Sequence, residues 1–334
     1  MRLSRFGLAP RLSAICLLGG LLAVDLSAAA AKQYEPGSGQ GTSPARTTAE
    51  FEALPLLRSR QNHLLVRAFI NGKPAWLGVD SGAPVTAIAS DRRAYFHLTG
   101  LPSASTLPTR LQINGAFNNV VVVRHFRLGN LNLVDEPVVT INLGGSSRAA
   151  RLMEEQQLDG ILGADILFPT KAVLDCKRQL LVLKMDPDLP GRAPGISYRG
   201  LNAVPIQVSE GFNLYVDVRI NGAPARLMVD TGAFATLLHQ PFIRQMRIPT
   251  RQTAFRSAAV NLRQRGVEVA RIRKLSVGSV DIVGKEIGVI DLEGLIHDQL
   301  LRGKPPVVGL LGAEILTRHH GIIDFGTKTL YLRR

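Results

Sequence analysis

Apolar and polar positions alternate with a period of two along much of this chain. Leu214, Val216, Val218 and Ile220 alternate with Tyr215, Asp217 and Arg219, and Leu64, Val66, Ala68 and Ile70 occupy the matching positions of an earlier run. Such alternation is that of a strand with one buried face. Each run closes on Asn-Gly, at Asn71-Gly72 and Asn221-Gly222, which supplies the left-handed conformers of a tight hairpin turn. The returning strands end as Leu77-Gly78-Val79 and Leu227-Met228-Val229 and lead directly into Asp80 and Asp230. Both aspartates are therefore expected on loops at strand ends, held by a β core. Short helices are expected only at Ala164 to Leu167 and Ala313 to Leu316.

The two runs belong to a longer internal repeat. The segment from His63 to Ile88 aligns without a gap to the segment from Asn213 to Leu238, and half of its 26 positions are identical. Leu128-Gly129-Asn130-Leu131 then matches Val277-Gly278-Ser279-Val280, and Asp159 to Leu167 matches Val308 to Leu316. Each copy ends in a closing strand, Ala172 to Asp175 or Gly321 to Asp324. Several elements in one order at one offset argue for duplication and fusion of a whole lobe. Two related lobes that each deliver one aspartate can build a carboxylate pair across a pseudo-twofold axis.

Residues 60 to 334 resemble the retropepsin-like aspartic proteases, in the bilobal single-chain arrangement and of the bacterial secreted type. The resemblance rests on Asp80-Ser81-Gly82-Ala83 and Asp230-Thr231-Gly232-Ala233, with the apolar-apolar-Gly steps Ile161-Leu162-Gly163 and Leu310-Leu311-Gly312. It implies an all-β fold of two closed acid-protease barrels related by a pseudo-twofold axis, with Asp80 and Asp230 as catalytic residues. By the same resemblance Ser81 and Thr231 bond across to the opposite loop, and the later apolar-Gly strand supports each aspartate loop from behind. Gly82 and Gly232 permit a tight backbone where a Cβ would crowd the partner loop. Thr86 and Thr236 also repeat, either as groups behind the site or simply as strand residues. The family closes a β-hairpin flap over its substrate; the stretches at Asn114 to Phe117 and Ser257 to Asn261 are candidates, and the substrate-binding residues stay unassigned.

The remaining composition sets limits. In 334 residues, 46% of them apolar, there is material for two cores. The amino terminus carries Arg2, Arg5 and Arg11, an apolar run from Leu12 to Val24 and then Ala28 to Ala31, the order of a secretory signal peptide spanning residues 1–31. A retained membrane anchor is the alternative, but Asp25 interrupts the apolar span. The expected divisions that follow are a flexible arm at 32–53, a first lobe at 54–185, a Pro/Gly-rich linker at 186–196 and a second lobe at 197–334. Export places the mature chain in the periplasm or outside the cell. One cysteine, Cys176, would then remain, so no intramolecular disulfide is possible.

A formal charge of +14 favours anionic membrane or cell-wall surfaces. Nucleic acid is not expected as a partner, since no reading motif accompanies the charge. The cluster Arg251, Arg256, Arg263, Arg265, Arg271, Arg273 and Lys274 reads as a solvated basic hairpin. No His-Glu-x-x-His spacing, no Gly-x-Ser-x-Gly elbow and no cofactor motif occurs, so neither metal nor cofactor is expected. What these residues point to is a monomer that is an internal pseudo-dimer and hydrolyses polypeptides through a water held between Asp80 and Asp230. The rival from another class is an exported peptide-binding or scaffold protein on the same fold.

Overall fold

The computed structural model describes residues 14–15, 50–101, 119–143, 157–186, 188, 193–209, 212–259, 262–293, 300–301 and 303–334. In the first half these form β1 (Phe51–Pro55), β2 (Leu64–Ile70), β3 (Lys73–Val79), β4 (Ala87–Ala89), β5 (Val120–Leu128), β6 (Leu131–Ile141), β7 (Gly160–Leu162), helix α1 (Ala164–Leu167), β8 (Val173–Asp175) and β9 (Leu180–Lys184). In the second half follow β10 (Asn202–Pro205), β11 (Leu214–Ile220), β12 (Ala223–Val229), β13 (Leu237–His239), α2 (Gln240–Gln245), β14 (Thr250–Ala259), β15 (Leu262–Val277), β16 (Val280–Ile290), β17 (Val307–Leu311), α3 (Ala313–Arg318), β18 (Ile322–Asp324) and β19 (Thr329–Leu332).

Strand pairing closes each half on itself. In the first lobe the ring runs β2-β3-β7-β4-β6-β5 and returns to β2; in the second it runs β11-β12-β17-β13-β16-β15 and returns to β11. Two six-stranded barrels result, and the all-β reading holds. The Asn-Gly steps form the hairpin turns with all four residues in the left-handed region, Asn71 at φ 49°, Gly72 at 78°, Asn221 at 50° and Gly222 at 91°. The alternation predicts the barrel interiors too: Leu64, Val66, Ala68 and Ile70, and Leu214, Val216, Val218 and Ile220, all pack in the main core. That core runs through both lobes without interruption.

A third sheet joins the lobes in the order β10-β19-β18-β8-β9-β1, three strands from each half. Its centre pairs Leu174 with Ile323, flanked by Val173 with Asp324 and Asp175 with Ile322, a register symmetric about the middle pair. The closing strands of the repeat thus fasten the lobes together. Residues 51–53, expected at the end of an irregular arm, lie instead in β1, an edge strand paired with β9. Its partner is more than a hundred positions away, so no local period marks it, and Pro55 at its end needs no ladder N–H.

Helix α1 has the expected bounds, and α3 runs two residues beyond Leu316. Helix α2 was not anticipated; Pro241 opens its first turn, where a missing N–H costs nothing. Of the flap candidates, Asn114 to Phe117 lies outside the described residues. Ser257 to Ala259 closes β14 at the end of a long hairpin with β15. On that hairpin Arg251, Arg271, Arg273 and Lys274 are exposed, Arg251 faces Glu286 at 3.5 Å and Lys274 bonds Asp281 at 2.7 Å. Such exposed pairs add at most about 1 kcal/mol each. Among the described residues no helix is long and apolar enough to cross a membrane.

Candidate active site

Each barrel ends one strand at the lobe boundary, β3 at Val79 and β12 at Val229, and the next residue of each is an aspartate. The strand β7 lies parallel to β3 and β17 parallel to β12. From there the Leu162 carbonyl accepts the Asp80 N–H and the Leu311 carbonyl accepts the Asp230 N–H, both at 3.0 Å. The apolar-Gly strands therefore brace the aspartate loops from behind, as the resemblance implies. This crossing requires glycine. A Cβ on Gly163 would come within 2.5 Å of the Val85 carbonyl carbon, and one on Gly312 within 2.3 Å of the same atom of Ala235.

The two loops are locked to one another by reciprocal hydrogen bonds. The Ser81 N–H donates to Thr231 Oγ1 at 3.0 Å and the Thr231 N–H to Ser81 Oγ at 3.1 Å. Each hydroxyl in turn donates to the far strand, Ser81 to the Val229 carbonyl at 2.9 Å and Thr231 to the Val79 carbonyl at 2.7 Å. All four groups are buried, so these bonds meet no competition from water. Serine and threonine do the same work here, because only the hydroxyl is used.

This lock brings the two carboxyls face to face. A Cβ on Gly82 would stand 2.7 Å from Asp230 Cγ, so only glycine leaves room for the partner aspartate. Asp80 Oδ1 accepts the Gly82 N–H at 2.8 Å; Asp230 Oδ1 accepts those of Gly232 and Ala233, both at 2.9 Å. Among the described residues the outer oxygens, Oδ2 of each, take no hydrogen bond. Each carboxyl instead lies against the other, so the two titrate as a pair.

Burial raises the hold of both carboxyls on their protons. Asp80 is 1% exposed and Asp230 fully buried. Loss of solvent, against the opposing pull of the Gly82 N–H and the partner carboxyl, pushes Asp80 up to about 7 from an ordinary 3.8. Asp230 is raised well above the ordinary value, first by burial and then by the charge on Asp80. The proton belongs to the pair.

These shifts bear on stability. A carboxyl whose folded value lies above its unfolded one binds more protons in the native state, so stability falls as pH rises from about 4 through the folded values. Replacing either aspartate by Asn removes that penalty. The variants are expected to be more stable than the parent at pH 7.5, by on the order of a few kcal/mol and with a higher melting temperature, and to have no advantage near pH 3.5. Thermal melts at the two pH values check this.

Behind the loops lies a pair of residues for which the sequence offered a signal without a role. Asp165 Oδ1 accepts both the N–H and the hydroxyl of Thr86, at 2.8 and 2.7 Å, and the Thr86 hydroxyl accepts the Gly163 N–H at 3.1 Å. In the second lobe Glu314 Oε2 accepts the Thr236 N–H at 2.8 Å, and Thr236 Oγ1 accepts that of Gly312 at 3.0 Å. The repeated threonines are therefore support groups rather than plain strand residues. The signal was the acid that follows Gly-Ala in both copies; its partner lies nearly 80 positions away.

Other candidate chemistry falls away. Cys176 is buried, and burial pushes its thiol up to about 12, where no thiolate forms near neutrality. Among the described residues one group could hold a metal, His239 with Asp291 and Glu293. His239 Nδ1 already accepts the Leu292 N–H at 3.1 Å, which ties the chain after β16 to the end of β13.

Two family models match the chain, one in each lobe. A family model described as aspartyl protease matches residues 66–166, and one described as gag-polyprotein aspartyl protease matches residues 216–318. The chain belongs to the retropepsin-like aspartic proteases and carries two such domains in one polypeptide. No curated protein matches it. Among solved structures it is similar to basic 7S globulin from soybean, at 10% identity and a TM-score of 0.43 over 85% of this chain and 95% of that one. It is similar also to an aspartic proteinase from Irpex lacteus, at 12% identity and a TM-score of 0.43 over 85% and 97%.

Proposed function

We propose that this member of the family is an active aspartic endopeptidase, with Asp80 and Asp230 as its catalytic pair. The observation that supports this most directly is the two buried carboxyls that symmetric loops set against each other, an arrangement that favours a single proton shared between them. In that state one carboxylate draws a proton from a water lying between the pair, and the oxygen of that water attacks the carbonyl carbon of the scissile peptide. The protonated partner donates to the carbonyl oxygen, which gives a tetrahedral gem-diol. As the diol collapses, the amine leaves with the proton of one carboxyl while the other carboxylate takes the proton of a diol hydroxyl, so the pair again holds one. Ser81 and Thr231 hold the separation, and Gly82 and Gly232 the approach.

The same proposal includes export by residues 1–31, supported by the basic, apolar and small-residue order of that segment, and a single chain as the working unit. Both halves of the pair are covalently joined, so no second copy is needed.

Hydrolysis of a mixed peptide library by the purified chain, across about pH 3 to 8, tests the reading. Cleavage is expected to follow a bell in pH, falling on the acid side as the pair takes up a second proton and on the alkaline side as it loses its last. Chelators are expected to leave the rate unchanged, and a statine-type inhibitor, whose hydroxyl imitates the gem-diol, to block it. Activity lost on chelation and restored by zinc would remove the carboxylate pair from the mechanism. Binding of peptides with no cleavage at any pH would establish the scaffold alternative.

A further inference from the structure

Tyr215 is opposite Met228 on the neighbouring strand, Met228 is beside Leu310, and Leu310 is opposite Leu237. Paired residues share a face of a sheet, so these four side chains form one row across β11, β12, β17 and β13. Ala233 packs into the same cluster, and its N–H bonds to Asp230 Oδ1. The row therefore adjoins the carboxyl pair on the side of the second lobe. The first lobe has the corresponding row Leu65, Gly78, Ile161 and Ala87, with Ala83 beside it.

The two rows differ in hydrogen-bonding chemistry at one place. Leu65 in the first lobe is replaced by Tyr215 in the second, and the Tyr215 hydroxyl is buried with no partner among the described residues. The residue as a whole is only 4% exposed, among carbon side chains. Buried hydroxyls are nearly always bonded. One left open beside a site that must receive a ligand is accounted for by a group that the ligand brings.

On the reading that the carboxyl pair hydrolyses peptides, we propose that Tyr215 is a specificity-determining residue of the second-lobe pocket. Its hydroxyl bonds the polar end of the substrate side chain that enters there. Met228, Leu237 and Leu310 provide apolar walls, which take a hydrocarbon or aromatic stem and reject an unpaired charge. A phenol both donates and accepts, so the favoured end is a neutral hydrogen-bonding group. The pocket thus selects tyrosine over phenylalanine, whereas the first-lobe pocket, with Leu65 at the corresponding position, does not.

The test uses peptides that differ only by Tyr or Phe at each of the two positions flanking the scissile bond. The wild-type chain is expected to favour Tyr by about tenfold in kcat/KM at one position and to show no such preference at the other. In Tyr215→Phe that preference is expected to vanish. Its melting temperature should equal or exceed that of the parent, since the change removes an unbonded buried hydroxyl. A preference that survives in Tyr215→Phe, or a wild-type chain indifferent at both positions, overturns the assignment. Reduced-bond analogues of the same peptides, measured by calorimetry, separate this inference from the one on which it rests. Absence of cleavage sinks hydrolysis, while tighter binding of the Tyr analogue that is lost in Tyr215→Phe still supports the role of Tyr215. Equal binding of both analogues refutes it.

Discussion

Asp80→Asn and Asp230→Asn are each expected to lower turnover by at least about a thousandfold, and the double variant to be little worse than either. The mechanism needs one ionised and one protonated carboxyl at the same time, so removing one member removes the function of both. An amide accepts the Gly82 or Gly232 N–H as the carboxylate does, and it relieves the cost of burying charge. Loss of activity should therefore accompany a gain in stability at neutral pH. This pairing of opposite signs separates a catalytic role from general damage. A folded single variant with wild-type turnover would show that hydrolysis occurs elsewhere.

Thr231→Ala should cost both stability and activity. The hydroxyl it deletes donates to the Val79 carbonyl at 2.7 Å and accepts the Ser81 N–H at 3.0 Å, and both partners would be left buried and unbonded. At about 1–3 kcal/mol for each of the two orphaned groups, the expected loss is roughly 2–6 kcal/mol. Turnover should fall as well, because the spacing of the carboxyls depends on this lock. Thr231→Ser should recover most of both, since Ser81 already makes the same set of bonds from the other lobe. Chemical denaturation of the three proteins, alongside their kcat, checks the order. If Thr231→Ser were as damaged as Thr231→Ala, the methyl rather than the hydroxyl would carry the role.

The repeat made much of this legible beforehand. Asp80 and Asp230 stand in matched surroundings, and matched surroundings in a duplicated lobe place equivalent groups about a twofold axis. The Asn-Gly turns, the barrel strands and the brace behind each aspartate are local features, set by period, by left-handed backbone and by glycine where chains cross. Likeness to a family implies that Ser81 and Thr231 bond across the lobes, and the reciprocal bonds are present.

What the sequence by itself determined, then, is what depends on neighbours in the chain: alternation in β2 and β11, the hairpin turns, and the position of each carboxylate at a strand end. The tertiary structure alone decided what depends on distant partners. The strand at Phe51–Pro55 exists because β9 offers it an edge, and the fusion of the lobes rests on Leu174 meeting Ile323. Asp165 and Glu314 gain their roles from threonines on other strands. The raised proton affinity of Asp80 and Asp230 is likewise a property of the folded chain. Each is an ordinary aspartate until burial strips its water and the other lobe brings a second carboxyl against it, and pairing at that range is fixed by packing.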